Sequence, residues 1–209
     1  ITEDIASLPM GTYSVDITDI NACTTSTVLT LTEPTPLQTT IAASTDYNGY
    51  NISCNGYSDG GIDLSVSGSV PGYTYLWNTS AITEDITSLP MGTYSVDITD
   101  INSCTTSTSF TLTEPTPLQT IIILSDINGY NICNQGQDGF IDLTVSGSVP
   151  GYSYQWSNGD TTENINNLGA GIYSYTATDQ NDCFITDSIE IIEPILTIQK
   201  TSNNISCNG

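Results

Sequence analysis

Basic side chains are almost absent from this sequence. Its 209 residues include one basic residue, Lys200, and no histidine, against 23 Asp and Glu, which gives a formal charge of −22. A nucleic-acid-binding surface needs basic side chains to neutralise phosphates, and an anionic membrane surface would repel this chain. Without histidine, the commonest general base and zinc ligand is missing. We therefore expect neither nucleic-acid binding nor catalysis.

Long apolar runs are also missing. The longest purely apolar stretch, residues 121–124, is far shorter than a membrane span, and no signal peptide is visible. Hydrophobic residues nevertheless make up 37% of the chain, with 12 Tyr and many Val, Ile and Thr. This composition is typical of β-sheet proteins and not of disordered chains.

The sequence contains an internal repeat. Residues 1–40 and 82–121, which are 81 positions apart, differ at five of forty positions, and a further copy follows at an offset of 79. A repeat of about 80 residues is too long for small solenoid repeats and suits one domain of an all-β tandem array.

Alternation of apolar and polar residues predicts the strands of each repeat. Residues 62–66 and 73–77 alternate and are separated by a Gly- and Pro-containing turn at 68–72, which predicts two antiparallel strands. Tyr94, Val96 and Ile98 share one face of a third strand. The even-numbered residues from Cys104 to Leu112 share one face of a fourth.

Residues 89–94 resemble the tyrosine corner of immunoglobulin-like sandwiches, in which a Tyr at the start of a late strand bonds back to the preceding backbone. Residues 8–13 and 168–173 repeat the pattern. We interpret Trp77 and Trp156 as core aromatics. The predicted fold is all-β, with tandem immunoglobulin-like (PKD-like) β-sandwich domains in a linear array.

An ordered set of motifs resembles the SprB-type repeat of Bacteroidota cell-surface proteins. The motifs are NISCNG (51–56), DGGIDL (59–64), GSVPGYTYLW (68–77), LPMGTY (89–94), TDINSC (99–104) and TEP (113–115). The resemblance implies a large secreted adhesin, exported by the type IX system and displayed on the cell surface, in some cases for gliding motility. Implied partners are neighbouring repeats, the gliding and secretion machinery, and surface polysaccharide.

The six cysteines, an even number in a chain that resembles exported proteins, predict disulfides. Pairing neighbours joins Cys23 to Cys54, Cys104 to Cys133, and Cys183 to Cys207. A hairpin turning at residues 193–195 would bring the last pair nearly opposite each other, which favours this scheme. The alternative, within one repeat, joins Cys54 to Cys104 and Cys133 to Cys183.

The neighbour pairing places repeat boundaries at the Cys-Asn-Gly type motifs. It divides the chain into the last strands of a partial repeat (1–54), a complete repeat (55–133) and a second repeat (134–209). The alternative boundaries lie at the Glu-Pro segments near 34–36, 115–117 and 194, interpreted as stiff linkers.

Oxygen-bearing side chains recur near turns, which favours a calcium site or Asx turns without metal. The candidate ligands are Asp19, Asn21, Asp100, Asn102, Asp179 and Asn181. We expect no required cofactor, and calcium is the one candidate. Thr161 and Ser188 fit a short O-glycosylation motif of Bacteroidota, and both are candidate modification sites.

The favoured function is a stalk segment of a long extracellular adhesin, which presents an adhesive tip and transmits force. The alternative is a polysaccharide-binding repeat that uses exposed aromatics such as Tyr50, Tyr57 and Tyr130. In either case, repeated negative charge should keep neighbouring filaments apart and extended at low salt.

Overall fold

The computed structural model describes residues 4–133 and 135–195, and in these residues the chain is all-β. Its strands are β1 (Gly11–Thr18), β2 (Thr24–Leu31), β3 (Gln38–Ala43), β4 (Gly60–Ser67), β5 (Thr74–Trp77), β6 (Ile86–Leu89), β7 (Gly92–Thr99), β8 (Thr105–Leu112), β9 (Gln119–Leu124), β10 (Gly139–Ser146), β11 (Ser153–Trp156), β12 (Ile165–Leu168), β13 (Gly171–Thr178) and β14 (Phe184–Ile191). No helix of the described residues is long and apolar enough to cross a membrane.

The strands form one two-stranded and four three-stranded sheets. Their orders are β1-β2, β3-β4-β6, β5-β7-β8, β12-β10-β9 and β11-β13-β14. By spatial proximity the chain divides into two compact units. The first contains Ile1–Ala42, Ile62–Ile86 and Tyr94–Phe110, and the second contains Ala43–Gly61, Thr87–Thr93 and Thr111–Gly209.

The second unit contains a complete β-sandwich, built from β9 to β14. Leu143 of β10 and Ile165 of β12 belong to the same buried cluster as Trp156 of β11 and Tyr175 of β13, so the two sheets face each other across one core. The Trp156 and Tyr175 rings lie 5.2 Å apart between centroids. The prediction of an all-β, immunoglobulin-like sandwich fold is therefore confirmed.

Strands β3 to β8 repeat the same burial pattern one repeat earlier. Ile62, Leu64, Trp77 and Val96 are buried like their counterparts in the later repeat. The indole N–H of Trp77 donates to the Thr83 carbonyl at 2.9 Å, and Trp156 donates equivalently to the Thr162 carbonyl at 2.8 Å. Both tryptophans are core residues, as the sequence predicts.

Tyrosine hydroxyls fix the chain at two kinds of turn. The predicted tyrosine corner is present where Tyr13 donates to the Pro9 carbonyl at 2.8 Å and where Tyr173 donates to the Gly169 carbonyl at 3.1 Å. A second kind was not predicted: Tyr152 donates to the Gly147 carbonyl at 2.6 Å and closes the connection between β10 and β11.

One strand pairing predicted from the sequence is wrong. Strands β4 and β5 do not pair, because the connection between them carries the chain from one sheet to the other. The return arm of the hairpin predicted to turn at residues 193–195 lies outside the described residues. After the equivalent Glu-Pro segment one repeat earlier, β9 pairs with β10, from Gln119 opposite Ser146 to Leu124 opposite Ile141.

These pairings also bear on the repeat boundaries. Strand β3 lies in the same sheet as β4, so the predicted boundary after residue 54 falls in the loop between two strands of one sheet. The Glu-Pro segment at 33–36 lies between β2 and β3, and the segment at 114–117 lies between β8 and β9.

Strands β1 and β2 form an antiparallel hairpin with an exposed apolar face. Strand β1 has the same eight-residue sequence as β7. Ile98 of β7 is 0% exposed, whereas the equivalent Ile17 of β1 is 58% exposed. Within the described residues, β1 pairs only with β2, so its inward face has no opposing sheet.

Candidate functional site

With the Glu-Pro segments taken as the repeat boundaries, a disulfide joins Cys54 of one sequence repeat to Cys183 of the next. The two Cα atoms lie 5.6 Å apart and the cysteines are 129 residues apart in sequence. Both residues lie in the second compact unit, and both are buried. Cys54 belongs to the loop between β3 and β4, and Cys183 immediately precedes β14. The bond therefore connects two consecutive repeats covalently, away from the backbone that links them.

The 179–183 turn, which carries Cys183, is organised by one buried carboxylate. Asp179 Oδ1 accepts hydrogen bonds from the backbone N–H groups of Asn181 at 2.8 Å and Cys183 at 2.9 Å. Its Oδ2 accepts one from the Ser148 hydroxyl at 2.5 Å and one from the Val149 N–H at 3.2 Å. Four donors on one carboxylate fix both the turn and the direction of the Cys183 side chain.

These hydrogen bonds set the charge state of the turn. Burial favours the neutral acid, but the bonds from Ser148, Val149, Cys183 and Asn181 outweigh it and lower the pKa of Asp179. At the equivalent position one repeat earlier, the pKa of Asp100 is also lowered, first by the hydrogen bond from Ser69. Both turns therefore carry a buried negative charge at neutral pH.

Asn181 connects this turn to the 47–54 loop, which carries Cys54. Its amide nitrogen donates to the Tyr47 carbonyl at 3.2 Å and to the Ser53 carbonyl at 3.1 Å. Its amide oxygen accepts a hydrogen bond from Asn48 Nδ2 at 2.6 Å. One side chain thus holds both ends of the loop against the turn, beside the disulfide.

The 47–54 loop has its own internal structure. Tyr47 and Tyr50 exchange backbone hydrogen bonds of 2.7 and 3.2 Å around Asn48 and Gly49, whose φ angles are 53° and 91°. Positive φ at both central residues is what an Asn-Gly two-residue hairpin requires. This Tyr-Asn-Gly-Tyr segment is therefore a tight turn.

The residues that follow Cys54 are attached to the segment 113–118, which links the two repeats. Glu114 accepts hydrogen bonds from Asn55 Nδ2 at 2.7 Å and from the Gly56 N–H at 2.8 Å. At the other end of the segment, the Ser148 N–H donates to the Thr116 carbonyl at 2.9 Å. Gly147, with φ of 85°, lies so close to the Pro117 carbonyl that a Cβ would collide with it.

The observed bond corrects the predicted cysteine pairings. Because Cys54 and Cys183 are bonded to each other, neither can bond to Cys23 or Cys207, and the alternative pairs Cys54–Cys104 and Cys133–Cys183 are wrong as well. Cys23, Cys104 and Cys133 are exposed free thiols, so the predicted Cys104–Cys133 pair is absent. Cys207 lies outside the described residues.

The pKa of the Cys133 thiol is raised, first by the negative charge of Asp138 and then by a hydrogen bond with it. The thiolate, which is the nucleophile in disulfide exchange, is therefore disfavoured at Cys133.

The candidate calcium ligands are the residues of the three equivalent turns. Asp19 and Asp100 each accept hydrogen bonds at 2.8 Å through Oδ1 from the N–H groups two and four residues later, as Asp179 does. The carboxylates of these turns thus act as Asx-type acceptors. No group of three or more acidic, Cys or His residues within the described parts of the chain could hold a metal ion. Calcium binding stays a prediction.

The other candidate residues lie apart from one another. Tyr57 is 51% and Tyr130 is 40% exposed, whereas Tyr50 is half-buried in the 47–54 loop. Tyr57 lines a shallow groove beside the disulfide with Pro117 and Phe184. The glycosylation candidates Thr161 and Ser188 are both exposed.

Sequence reasoning missed the connection that Asn181 makes between the turn and the loop. A signal was present, because an Asp followed by Asn two residues later and by Cys four residues later occurs at 19–23, 100–104 and 179–183. That spacing specifies one Asx turn that presents an amide and a thiol together.

The fold and the bond together define a tandem β-sandwich repeat protein with a covalent connection between repeats. The sequence model of the SprB repeat matches residues 50–82 and 131–161. Two regions of the chain therefore match the SprB repeat, which confirms the resemblance predicted from its motifs. No curated protein sequence matches the chain significantly.

Similar solved structures include a fragment of intimin, the N-terminal domains of the Down Syndrome Cell Adhesion Molecule (DSCAM), and murine CEACAM1b. The C-terminal fragment of intimin, in complex with the intimin-binding domain of Tir, is 14% identical, with a TM-score of 0.38 over 75% of this chain and 64% of that one. The eight N-terminal immunoglobulin domains of DSCAM are 14% identical, with a TM-score of 0.37 over 88% and 27%. Murine CEACAM1b is 15% identical, with a TM-score of 0.28 over 66% and 94%.

Proposed function

We propose that this chain is a stalk segment of a long extracellular adhesin, which holds an adhesive tip away from the cell and transmits force. The observation that carries the proposal is the Cys54–Cys183 bond between consecutive repeats. A stalk must not fail at its joints. Here the segment 113–118 is accompanied by a second covalent connection, so the joint does not depend on the backbone alone.

Export and surface display are part of the same proposal. Disulfides persist in oxidising compartments outside the cytosol, and the SprB repeats match a family of surface proteins. We infer secretion by the type IX system, extracellular attachment to the cell, and a role in adhesion or gliding motility in which neighbouring repeats and the gliding machinery are the partners.

The charge supports an extended filament. With 23 acidic residues and one basic residue, successive repeats are all anionic, and their mutual repulsion is screened by salt. Calcium is the counterion we propose. It should raise the midpoint of thermal unfolding above that in sodium chloride of equal ionic strength, and a chelator should reverse the change. An unchanged midpoint would contradict calcium binding without affecting the stalk.

Pulling single molecules from their two ends tests the stalk. In the oxidised chain, the load passes from Cys54 to Cys183 through the disulfide, so the backbone between these two cysteines, which are 129 positions apart, is bypassed. Reduction should then add about 440 Å of contour length, at roughly 3.4 Å per extended residue. The Cys54→Ser variant should show the longer extension with or without reductant, and Cys133→Ser should behave like the wild type.

Two results would count against this function. Extension without distinct force peaks, in both redox states, would show that the β-sandwiches do not resist load. Equal contour lengths before and after reduction would show that the disulfide lies outside the force path.

Exposed aromatic side chains favour a second candidate, a polysaccharide-binding repeat. Tyr57 and Tyr130 offer rigid amphipathic rings at the surface. Binding of the full chain to a glycan array, weakened by Tyr57→Ala together with Tyr130→Ala, would support this candidate. The stalk function predicts no binding. A suitable control is Tyr47→Phe, which leaves both exposed rings in place.

A further inference from the structure

Each half of the Cys54–Cys183 connection recurs in the chain. The turn half is the 179–183 turn, and the 19–23 and 100–104 turns have the same hydrogen bonds. The N–H of Cys104 donates to Asp100 Oδ1 at 2.8 Å and the N–H of Cys23 donates to Asp19 Oδ1 at 2.8 Å. The backbone bond from Asp100 N to the Cys104 carbonyl, 3.0 Å, also matches that from Asp179 N to the Cys183 carbonyl, 2.9 Å. Three turns therefore present a cysteine in one geometry.

The loop half recurs once. Ile127 and Tyr130 exchange backbone hydrogen bonds of 2.6 and 3.2 Å, as Tyr47 and Tyr50 do. The loop is then attached to the next Glu-Pro segment, since the Gln135 N–H donates to Glu193 Oε2 at 2.8 Å, as Gly56 does to Glu114. The 127–133 loop thus positions Cys133 with the same tight turn and the same kind of hydrogen bond to a Glu-Pro segment as are found around Cys54.

The two bonded cysteines differ in burial from the free cysteines at equivalent positions. Cys54 and Cys183 are buried, whereas Cys104 and Cys133 are exposed. Asn181 is half-buried under the 47–54 loop, while Asn102, at the equivalent place, is exposed. The same structural parts are therefore formed at Cys104 and Cys133, but within the described residues nothing covers them.

We propose that the Cys54–Cys183 bond is one of a series, in which the loop cysteine of every repeat is bonded to the turn cysteine of the next repeat. Cys104 would accept the loop cysteine of a preceding repeat, and Cys133 would bond to the turn cysteine of a following one. The partner at each position is another SprB repeat with a Tyr-Asn-Gly-Tyr type loop, which the amide of Asn102 contacts as Asn181 contacts Tyr47 and Ser53.

The bonds form by ordinary thiol-disulfide exchange. Two cysteine thiols lose two protons and two electrons in total and form one S–S bond. A small-molecule disulfide such as oxidised glutathione accepts these protons and electrons and is reduced to two thiols. The proposal does not rest on the stalk function, because repeats bonded in series could equally present a ligand-binding surface.

The first experiment maps the disulfides of the chain as it is. After oxidation with a glutathione redox buffer, the free thiols are alkylated and the unreduced protein is digested and analysed by mass spectrometry. We expect a linked Cys54–Cys183 peptide and full alkylation of Cys104 and Cys133. A linked Cys104–Cys133 peptide would overturn the proposal.

The second experiment supplies the missing partner. The full chain is lengthened by one repeat, as residues 1–117 followed by residues 37–209, so that Pro117 precedes Leu37 as Pro36 does in the original. Residues 37–117 are then present in two consecutive copies. The first copy carries Cys104→Ser and the second copy carries Cys54→Ser. We expect a linked peptide between Cys54 of the first copy and Cys104 of the second, with loss of alkylation at both.

A mirror variant is the matched control. It carries Cys54→Ser in the first copy and Cys104→Ser in the second, and it should form no Cys54–Cys104 link while keeping the Cys54–Cys183 bond. Full alkylation of Cys104 in the first variant, or a Cys54–Cys104 link in the mirror variant, would overturn the series. The retained Cys54–Cys183 bond in the mirror variant shows that the lengthened chain folds.

Discussion

The backbone N–H of Cys183 donates to the carboxylate of Asp179 at 2.9 Å, so the charge that holds the turn also positions the cysteine bonded to Cys54. The other carboxylate oxygen is held by Ser148, from the connection after β10. Asp179, its donors and the disulfide are therefore one local structure, and a change in the charge of Asp179 should affect all of it.

Acid should weaken this structure in a defined pH range. Because the pKa of Asp179 is lowered in the folded chain, its stabilisation is fully present above the ordinary Asp pKa of about 3.9 and is lost as the pH falls through the lowered value. We expect the midpoint temperature of unfolding to decrease when the pH is lowered below about 4. Calorimetry at a series of pH values measures this.

The Asp179→Asn variant distinguishes the contribution of Asp179 to the acid dependence of unfolding from that of the other carboxylates. The variant should lose about 1 to 3 kcal/mol at neutral pH, because an amide cannot accept from all four donors, and its unfolding should depend less on acid. Asp97→Asn, at an exposed position of β7, is the control. The same pH dependence in Asp179→Asn as in the wild type would contradict the assignment.

Loss of the disulfide should destabilise the chain, whereas loss of a free thiol should not. On the chain-entropy estimate, a bond that closes 129 residues contributes about 5 kcal/mol. Cys54→Ser should therefore unfold at a lower temperature under non-reducing conditions. Cys133→Ser should match the wild type, and reductant should bring both to the midpoint of Cys54→Ser. No response of the wild type to reductant would contradict the stabilising role.

Two isoleucines in identical strands should respond differently to truncation. Ile98→Ala should cost about 2 to 5 kcal/mol, because the removed atoms leave a cavity in a packed core. Ile17→Ala, at the same place in the exposed strand β1, should change stability by less than about 0.5 kcal/mol. Urea unfolding followed by tryptophan fluorescence compares them. Equal losses would show that the face of β1 is covered in solution.

Asn181 should hold the 47–54 loop in place. Asn181→Ala removes the hydrogen bonds to Tyr47, Asn48 and Ser53, so backbone amides of the loop should exchange faster with deuterium. Asn102→Ala, the equivalent change in an exposed turn, should leave exchange in the loop unchanged. Equal protection of residues 47–53 in both variants would show that the disulfide alone orders the loop.

Much of the fold could be predicted from the sequence, because its signals are local. Alternation at Tyr94, Val96 and Ile98 identifies a strand and its buried face, and the spacing from Pro9 to Tyr13 identifies a corner. Alternation does not identify the neighbouring strand. For that reason the sequence alone predicts that β4 and β5 pair, although they lie in different sheets.

The disulfide could not be predicted for a related reason. Its cysteines are 129 residues apart, and they meet only because the 113–118 segment brings the loop of one repeat to the turn of the next. Sequence spacing favours partners that are close along the chain, such as Cys183 and Cys207. The position of that segment depends on Thr116, Gly147 and Ser148, whose contacts no periodicity reveals.

The route of the covalent chain has a consequence for proteolysis. Exposed connections are the preferred sites of cleavage, and a single cut anywhere between residues 55 and 182 leaves both fragments attached through Cys54 and Cys183. The protein should therefore run as one band on a non-reducing gel after such a cut, and as two after reduction. If the chain is the stalk segment proposed above, the stalk should therefore keep its length after a cut that would sever a string of domains joined by the backbone alone.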